Sequence, residues 1–386
     1  MNLLNKYIRQ PPKQSKYIEI SQFRKYQYNH LKDYVKTAFD YLELNTNGYI
    51  KLKSIEEEEL IKYRDMYGYE LNKYSVIIED PDDRNKDKLF IKFSFPRLVN
   101  DNYFYLNGSY YCPALYIYDF PITNKENSIK LYGMITSITI YFKIGASRTI
   151  LAGKNIPIQY FLEYFIKDKS LLNEIYKKYK IPQQKITKTQ LIDYYLNLFC
   201  IKDKKQLETL FDNIFFDNFT KRLYKACYNK EFSFNELINK AVDVFIDGKT
   251  VNFIDIHYKR LMWIEQLMYP FMRRLSTIAL AGIHEQNTSS IDYNEYELVK
   301  FFMKDLKHQF FYDLVNFYSG ISTHKAAMLS PNASAAPKEI ASIHPSFYGK
   351  ICPVTISAQK PGETVSIIPG TLFDEFGRFI FEDNGE

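Results

Sequence analysis

"IHPSFYGKICP", residues 343–353, stands apart from the chain around it. Eleven positions gather His344, Pro345, Tyr348, Gly349, Lys350, Cys352 and Pro353, while the rest of the polypeptide is dominated by lysine, tyrosine and isoleucine. Upstream, Thr323-His324-Lys325 opens a stretch that runs through the small, proline-bearing "SPNASAAPKE" (330–339) into this one. Whether these residues form a site depends on what the rest of the chain supplies.

The 386 residues are enough for two or three domains, and a hydrophobic content of 46% supports sizeable cores. Aromatic residues are abundant, with 34 Tyr and 30 Phe but one Trp, and 40 lysines stand against 11 arginines. Those residue types have AT-rich codons, so part of this bias reflects the genome. A net charge of +6 permits a nucleic-acid partner without requiring one, because such affinity depends on clustered phosphate contacts. Cys112, Cys200, Cys227 and Cys352 include no C-x-x-C pair, which argues against a zinc site or disulfide framework and favours a reducing cytoplasm. No signal peptide and no membrane span are expected.

Local patterns predict an α+β protein. "SQFRKYQYNHLKDYVKTAFDYL" (21–42) has helical spacing, and "EDPDDRNKDK" (79–88) reads as a solvated turn. Residues 89–150 alternate as strands, with an Asn107-Gly108 hairpin signal. From about 157 to 230 the pattern is helical, and Thr187-Lys-Thr-Gln190 predicts a capping box. Another helix is expected from Tyr258 to Ala281, and a further one ending at Phe317.

Catalytic motifs are missing. The six histidines are dispersed, without H-x-x-x-H spacing, and Glu56–Glu59 reads as the solvated start of a helix in preference to a metal site. No Walker loop, G-x-S-x-G or D-x-D-x-D run is present. What remains is a set of cations beside Gly- or Pro-bearing turns, at Lys325, Lys338, Lys350 and Lys360, suited to phosphate contacts.

The stretch 323–354 resembles the fork region of the β subunit of multisubunit, bacterial-type RNA polymerases. That family carries T-H-K-R-R, a glycine-rich loop, then V-H-P-[ST]-H-Y-G-[RK]-[IV]-C-P-[IV]-E. Thr323-His324-Lys325 matches the first part, and Ile343 to Val354 matches the second apart from Phe347. "FDEFGRFIF" (373–381) is similar to the N-E-Y-G-F-[IL] segment that follows. "FPRLVNDNYFYLNGS" (95–109), "NIPIQYFLEYF" (155–165), "IDIHYKRLMWIEQLMYPFMRRL" (254–275) and "KHQFFYDLVN" (307–316) echo other family segments.

The resemblance implies a protrusion at 1–120 and 258–310, an inserted lobe at 121–257 and a fork at 311–386. It implies the N-terminal half of a split β subunit of the giant-bacteriophage type, forming one jaw of the DNA channel. Catalytic residues are then not expected in this chain, since Mg2+ would be bound by a D-F-D-G-D loop of a β′-like partner. His324, Lys325, Lys338, Tyr348, Lys350 and Lys360 would lie near the RNA–DNA hybrid. His344, Pro345, Gly349, Cys352 and Pro353 would hold the fork. Implied partners are the β C-terminal half, β′-like subunits, a promoter-specificity factor, template DNA and nascent RNA, in the host bacterial cytoplasm or the virion.

The chain departs from the family in places. Ala326 and Ala327 replace two arginines, Lys338 is the sole cation of the fork loop, and Phe311-Tyr312-Asp313-Leu314 replaces a polar rifamycin-binding helix. A fork standing alone would expose Phe347, Ile351, Val354, Ile367 and Ile368. The alternative reading is a stand-alone nucleic-acid-binding or transcription-regulatory protein, and composition alone would also allow a virion structural protein.

Overall fold

A computed structural model describes residues 18–45, 51–63, 69–79, 89–99, 103–106, 108–112, 115–125, 127–134, 137–246, 255–265, 310–311, 326–328, 343–353 and 365–381. Helix and largely antiparallel sheet are mixed, and two compact units are present. One is contained within Asp119–Asn252. The other draws on Ser15–Tyr118 and Phe253–Glu386.

The second unit begins with α1 (Ile20–Asn29) and α2 (Leu31–Asn45). The sequence predicts one helix here, but His30 caps α1 at φ −89° and ψ 7°, its N–H turning back to Gln27 and Tyr28. Phe23 and Gln27 of α1 and Val35 and Phe39 of α2 face the core. A meander follows, made of β1 (Lys51–Tyr63), β2 (Tyr69–Glu79) and β3 (Leu89–Pro96). The four glutamates expected to start a helix lie in β1 instead, where Glu56 pairs with Ser75 and Glu57 with Tyr74. Their charge hides the strand from a hydrophobicity reading, while cross-strand pairing and the Lys32–Glu57 contact (3.0 Å) fix it.

β4 (Phe104–Leu106) and β5 (Ser109–Cys112) form the expected hairpin, with Leu106 opposite Ser109 and Gly108 at φ +75°. β6 (Leu115–Asp119) leads out of this unit.

The Asp119–Asn252 unit contains a five-stranded antiparallel meander: β7 (Ile122–Lys125), β8 (Ser128–Leu131), β9 (Ile138–Tyr141), β10 (Arg148–Leu151) and β11 (Lys154–Pro157). Alternation puts Ile138 and Ile140 of β9 in the core. Helices α3 (Ile158–Phe165), α4 (Lys169–Tyr179), α5 (Lys188–Phe199), α6 (Lys204–Thr209), α7 (Asn218–Tyr228) and α8 (Phe234–Ile246) follow. The capping box of α5 is present, with Thr187 accepting from the Gln190 N–H and Gln190 accepting from the Thr187 N–H.

Between α6 and α7, Leu210–Phe215 winds as a π-helix. Phe211 there touches the rings of Tyr164, Phe165, Tyr195, Phe199, Phe215 and Phe234, with centroids 5.1–6.2 Å apart. The aromatic bias of the sequence is thus spent on a ring-on-ring core.

Returning to the other unit, the expected helix from Tyr258 is replaced at its start. Ile256–Tyr258 is a 3₁₀ turn and Lys259–Met262 is strand β12, while 266–281 lie outside the described residues. Phe310–Phe311 is likewise a strand, β13, opposite Cys112 and Tyr111, where the sequence predicts helix. β14 (Ala326–Met328) and β15 (Val365–Ser366) complete a sheet ordered β12-β6-β14-β15.

A buried polar network closes this unit. Arg260 grips Glu265 with two bonds, Nη1–Oε1 at 3.0 Å and Nη2–Oε2 at 2.7 Å. Gln27 of α1 donates to Glu265 Oε1 (2.9 Å) and accepts from the Trp263 and Ile264 N–H groups. Arg260 also reaches the Phe376 carbonyl at 3.4 Å. The tail 373–379 folds into a tight turn, where Asp374 accepts from the Phe376 and Arg378 amides and pairs with Arg378 Nε at 2.6 Å. Phe373 exchanges backbone hydrogen bonds with Ile18.

Gly377 makes this closure feasible. At φ +80° its carbonyl accepts from the Leu261 N–H, and a Cβ there would lie 2.4 Å from the Leu261 carbonyl oxygen. Gly377→Ala is expected to destabilise this unit by about 2 kcal/mol or more, from the positive φ and the clash together. Urea unfolding followed by Trp263 fluorescence measures it.

Candidate nucleic-acid interface

Residues 343–353 fold onto two distant segments, 255–265 and 365–381. The first anchor is a hydrogen-bonded chain. His344 caps the 3₁₀ turn Pro345–Phe347, its Nδ1 accepting from the Ser346 N–H at 3.2 Å. Ser346 Oγ lies 2.8 Å from the same nitrogen and accepts from the buried Ile256 N–H at 3.0 Å. Asp255 accepts from the His257 backbone amide at 3.0 Å and pairs with His257 Nδ1 at 2.6 Å. Burial raises the Asp255 carboxyl, but hydrogen bonds from His257 and then Ser346, with the charge of His257, outweigh it and leave the acid below its ordinary value.

The second anchor is a strand-like pairing. Ile351 bridges Ile367, Cys352 donates to the Ser366 carbonyl (2.8 Å), and Ile368 donates to the Lys350 carbonyl (2.8 Å). Phe347, Ile351, Val365 and Ile367 are buried within the chain itself. This corrects the expectation that the fork alone would expose Phe347, Ile351 and Ile367. The missing cover is intramolecular, supplied by the 365–368 strand and by the 3₁₀ turn at Ile256. Ile368 is half-buried, and Val354 lies outside the described residues.

What these anchors hold outward is small and specific. Tyr348 is 94% exposed and Ile343 60%. Gly349 sits at φ +70° with open space where a Cβ would be, so the backbone itself is accessible. Lys350 is half-buried, its ammonium 5.5 Å from the centre of the Phe381 ring, and His257 stacks on that ring at 3.9 Å. Cation, imidazole and phenyl ring thus form one layer, with the Tyr348 phenol close by in sequence. Aromatic faces beside cations offer stacking and phosphate contact together.

Among the residues predicted from sequence, Tyr348, Gly349 and Lys350 reach the surface, while His344 and Cys352 belong to the framework. Pro345 and Pro353 are exposed at its two ends. His324, Lys325, Lys338 and Lys360 lie outside the described residues. Ala326 and Ala327 stand in β14, opposite Ser366 and Val365. Asp255, Ser346, His257 and Phe381 were not singled out beforehand. The "IDIH" and "FDEFGRFIF" echoes carried Asp255, His257 and Phe381, and the 343–354 match carried Ser346, without any spacing signal that they would meet.

Among the described residues, no group of three or more His, Cys, Asp or Glu side chains is arranged to hold a metal, and no helix is long and apolar enough to cross a membrane. All four cysteines are free thiols. No protein-family model matches the chain, and no curated protein matches it.

Ser346→Ala leaves the buried Ile256 N–H without its acceptor. The expected loss is about 1–3 kcal/mol in urea unfolding, with an unchanged denaturant slope.

Proposed function

We propose that this chain is the N-terminal half of a split β subunit of a multisubunit DNA-dependent RNA polymerase. Its role is to form one jaw of the DNA channel and to line the path of the RNA–DNA hybrid. The observation that carries the reading is a convergence. Three segments chosen for their likeness to family motifs, 254–275, 343–353 and 373–381, interlock within one unit where described, at 255–265 for the first, through Ser346, Ile256, Arg260 and Gly377. The compact insertion Asp119–Asn252 further supports it, because an inserted lobe at 121–257 is what the resemblance implies.

In this reading Lys350 and Tyr348 present a cation and a ring to the nucleic acid without selecting bases, and Gly349 lets the turn approach the backbone closely. The metal chemistry of nucleotide addition belongs to a β′-like partner bearing the D-F-D-G-D loop, where Mg2+ would be held. The enzyme works in the cytoplasm of a bacterial host or is carried in the virion.

A second reading, a stand-alone nucleic-acid-binding or regulatory protein, has one observation in its favour. Phe347, Ile351 and Ile367 of the fork are covered by this chain, so no partner is needed to shield those three.

Co-expression separates the two. With a β C-terminal half and β′-like chains from the same genome, the polymerase reading expects a stable complex that makes template-directed RNA. That synthesis is lost when the partner's D-F-D-G-D aspartates are changed to alanine. A chain that elutes alone and adds nothing to synthesis supports the second reading and overturns the first.

The assembled enzyme is also expected to resist rifampicin, because Phe311-Tyr312-Asp313-Leu314 stands where the family has its polar drug-binding segment. Potent inhibition in a run-off transcription assay would refute this.

A further inference from the structure

Three lysines elsewhere in the Asp119–Asn252 unit pair with carboxylates. Lys204 pairs with Glu208 at 3.0 Å, Lys230 with Glu236 at 3.8 Å, and Lys225 with Glu231. The connection between α4 and α5 is built differently. From Ile175 to Ile192 the sequence carries Lys177, Lys178, Lys180, Lys185 and Lys188 and no aspartate or glutamate. All five are exposed, and among the described residues none of them forms a salt bridge.

The backbone beneath them is pinned. Ile181 is buried and donates its N–H to the Tyr176 carbonyl at 3.0 Å. Gln159 donates to the Pro182 carbonyl (2.9 Å), and Gln183 donates to Asn173 Oδ1 (3.4 Å). The Lys178 ammonium lies 5.7 Å from the centre of the Tyr179 ring. Lys188 is the first residue of α5, where the helix dipole already carries partial positive charge, and the first turn has no acid. Five like charges gathered there raise the energy of the free protein, and a bound polyanion lowers it.

We propose that this connection is a second nucleic-acid-binding surface, which grips the sugar–phosphate backbone without reading bases. The proposal does not rest on the polymerase reading, since it uses neither 343–353 nor any partner. A nucleic acid fits better than an acidic protein. Protein interfaces need an apolar centre, and here Ile181 is buried while the exposed side chains are chiefly lysine, glutamine and threonine.

The test is fluorescence anisotropy of the full chain with a short duplex DNA of random sequence, repeated between about 50 and 200 mM salt. One variant carries Lys177→Ala, Lys178→Ala, Lys185→Ala and Lys188→Ala. A control of equal charge loss carries Lys32→Ala, Lys204→Ala, Lys225→Ala and Lys230→Ala, all paired lysines. The first should lose at least about tenfold in affinity, and its log–log salt slope should fall by about 3–4, near 0.9 per lost phosphate contact. The control should keep its slope.

Equal losses in both variants, or no binding by the unaltered chain, would overturn the proposal. So would polyglutamate binding as tightly as DNA, which would point to an acidic protein. Should the fourfold variant fold poorly by circular dichroism, the pairs 177/178 and 185/188 changed separately should each lower the slope by about half as much, and no change in either refutes the idea.

Discussion

A charged arginine and a charged glutamate, both removed from water, hold the larger unit together. Burying the pair Arg260–Glu265 costs several kcal/mol in lost hydration, and only complete hydrogen bonding offsets that. The structure meets the condition by recruiting distant residues: Gln27 from the first helix, the Trp263 and Ile264 amides, and the Phe376 carbonyl. Gln27 makes three of these bonds, one to Glu265 and two from the amides, and Phe376 accepts a fourth, so the network is complete only when the α1, β12 and tail segments are all in place. Such a network adds little net stability but penalises every alternative arrangement. It thereby fixes where 365–381 runs, and with it the strand against which 343–353 is aligned.

From that alignment the candidate interface follows by simple geometry. Ile351 and Ile367 bridge with their side chains inward, so Lys350 and Tyr348 are carried toward solvent. The His257 ring, oriented by Asp255, and the Phe381 ring then complete a layer beside Lys350. The smaller unit solves a different problem, filling its core with rings. A π-helical turn sets Phe211 among six others, and the α4–α5 connection carries five exposed lysines with no acid between Ile175 and Ile192.

Local features were legible in the sequence because their causes are local. The Asn107-Gly108 turn, the Thr187/Gln190 capping box and the alternation of Ile138 and Ile140 each need only a few neighbouring residues. Elements whose cause is a distant partner were not legible. Four consecutive glutamates become a strand because β2 pairs with them. Lys259–Met262 has helical periodicity, yet Gly377 and Arg378 arrive from over a hundred positions later to claim its hydrogen bonds. At the site, the residues of 343–353 were identifiable, but whether Phe347 and Ile351 faced solvent depended on residues 365–368. The union of His257 with Phe381 had no sequence signal at all.

The Ile18–Phe373 pairing has a consequence for biogenesis. The described residues of the smaller unit lie in one stretch, 119–246, and can collapse once that stretch leaves the ribosome. The larger one joins Ile18 to Phe373, so its core cannot close until residue 373 has emerged. During that interval Phe23, Phe39 and Trp263 lack their final cover. Chaperone demand, if measured on stalled nascent chains, should therefore concentrate on the discontinuous half.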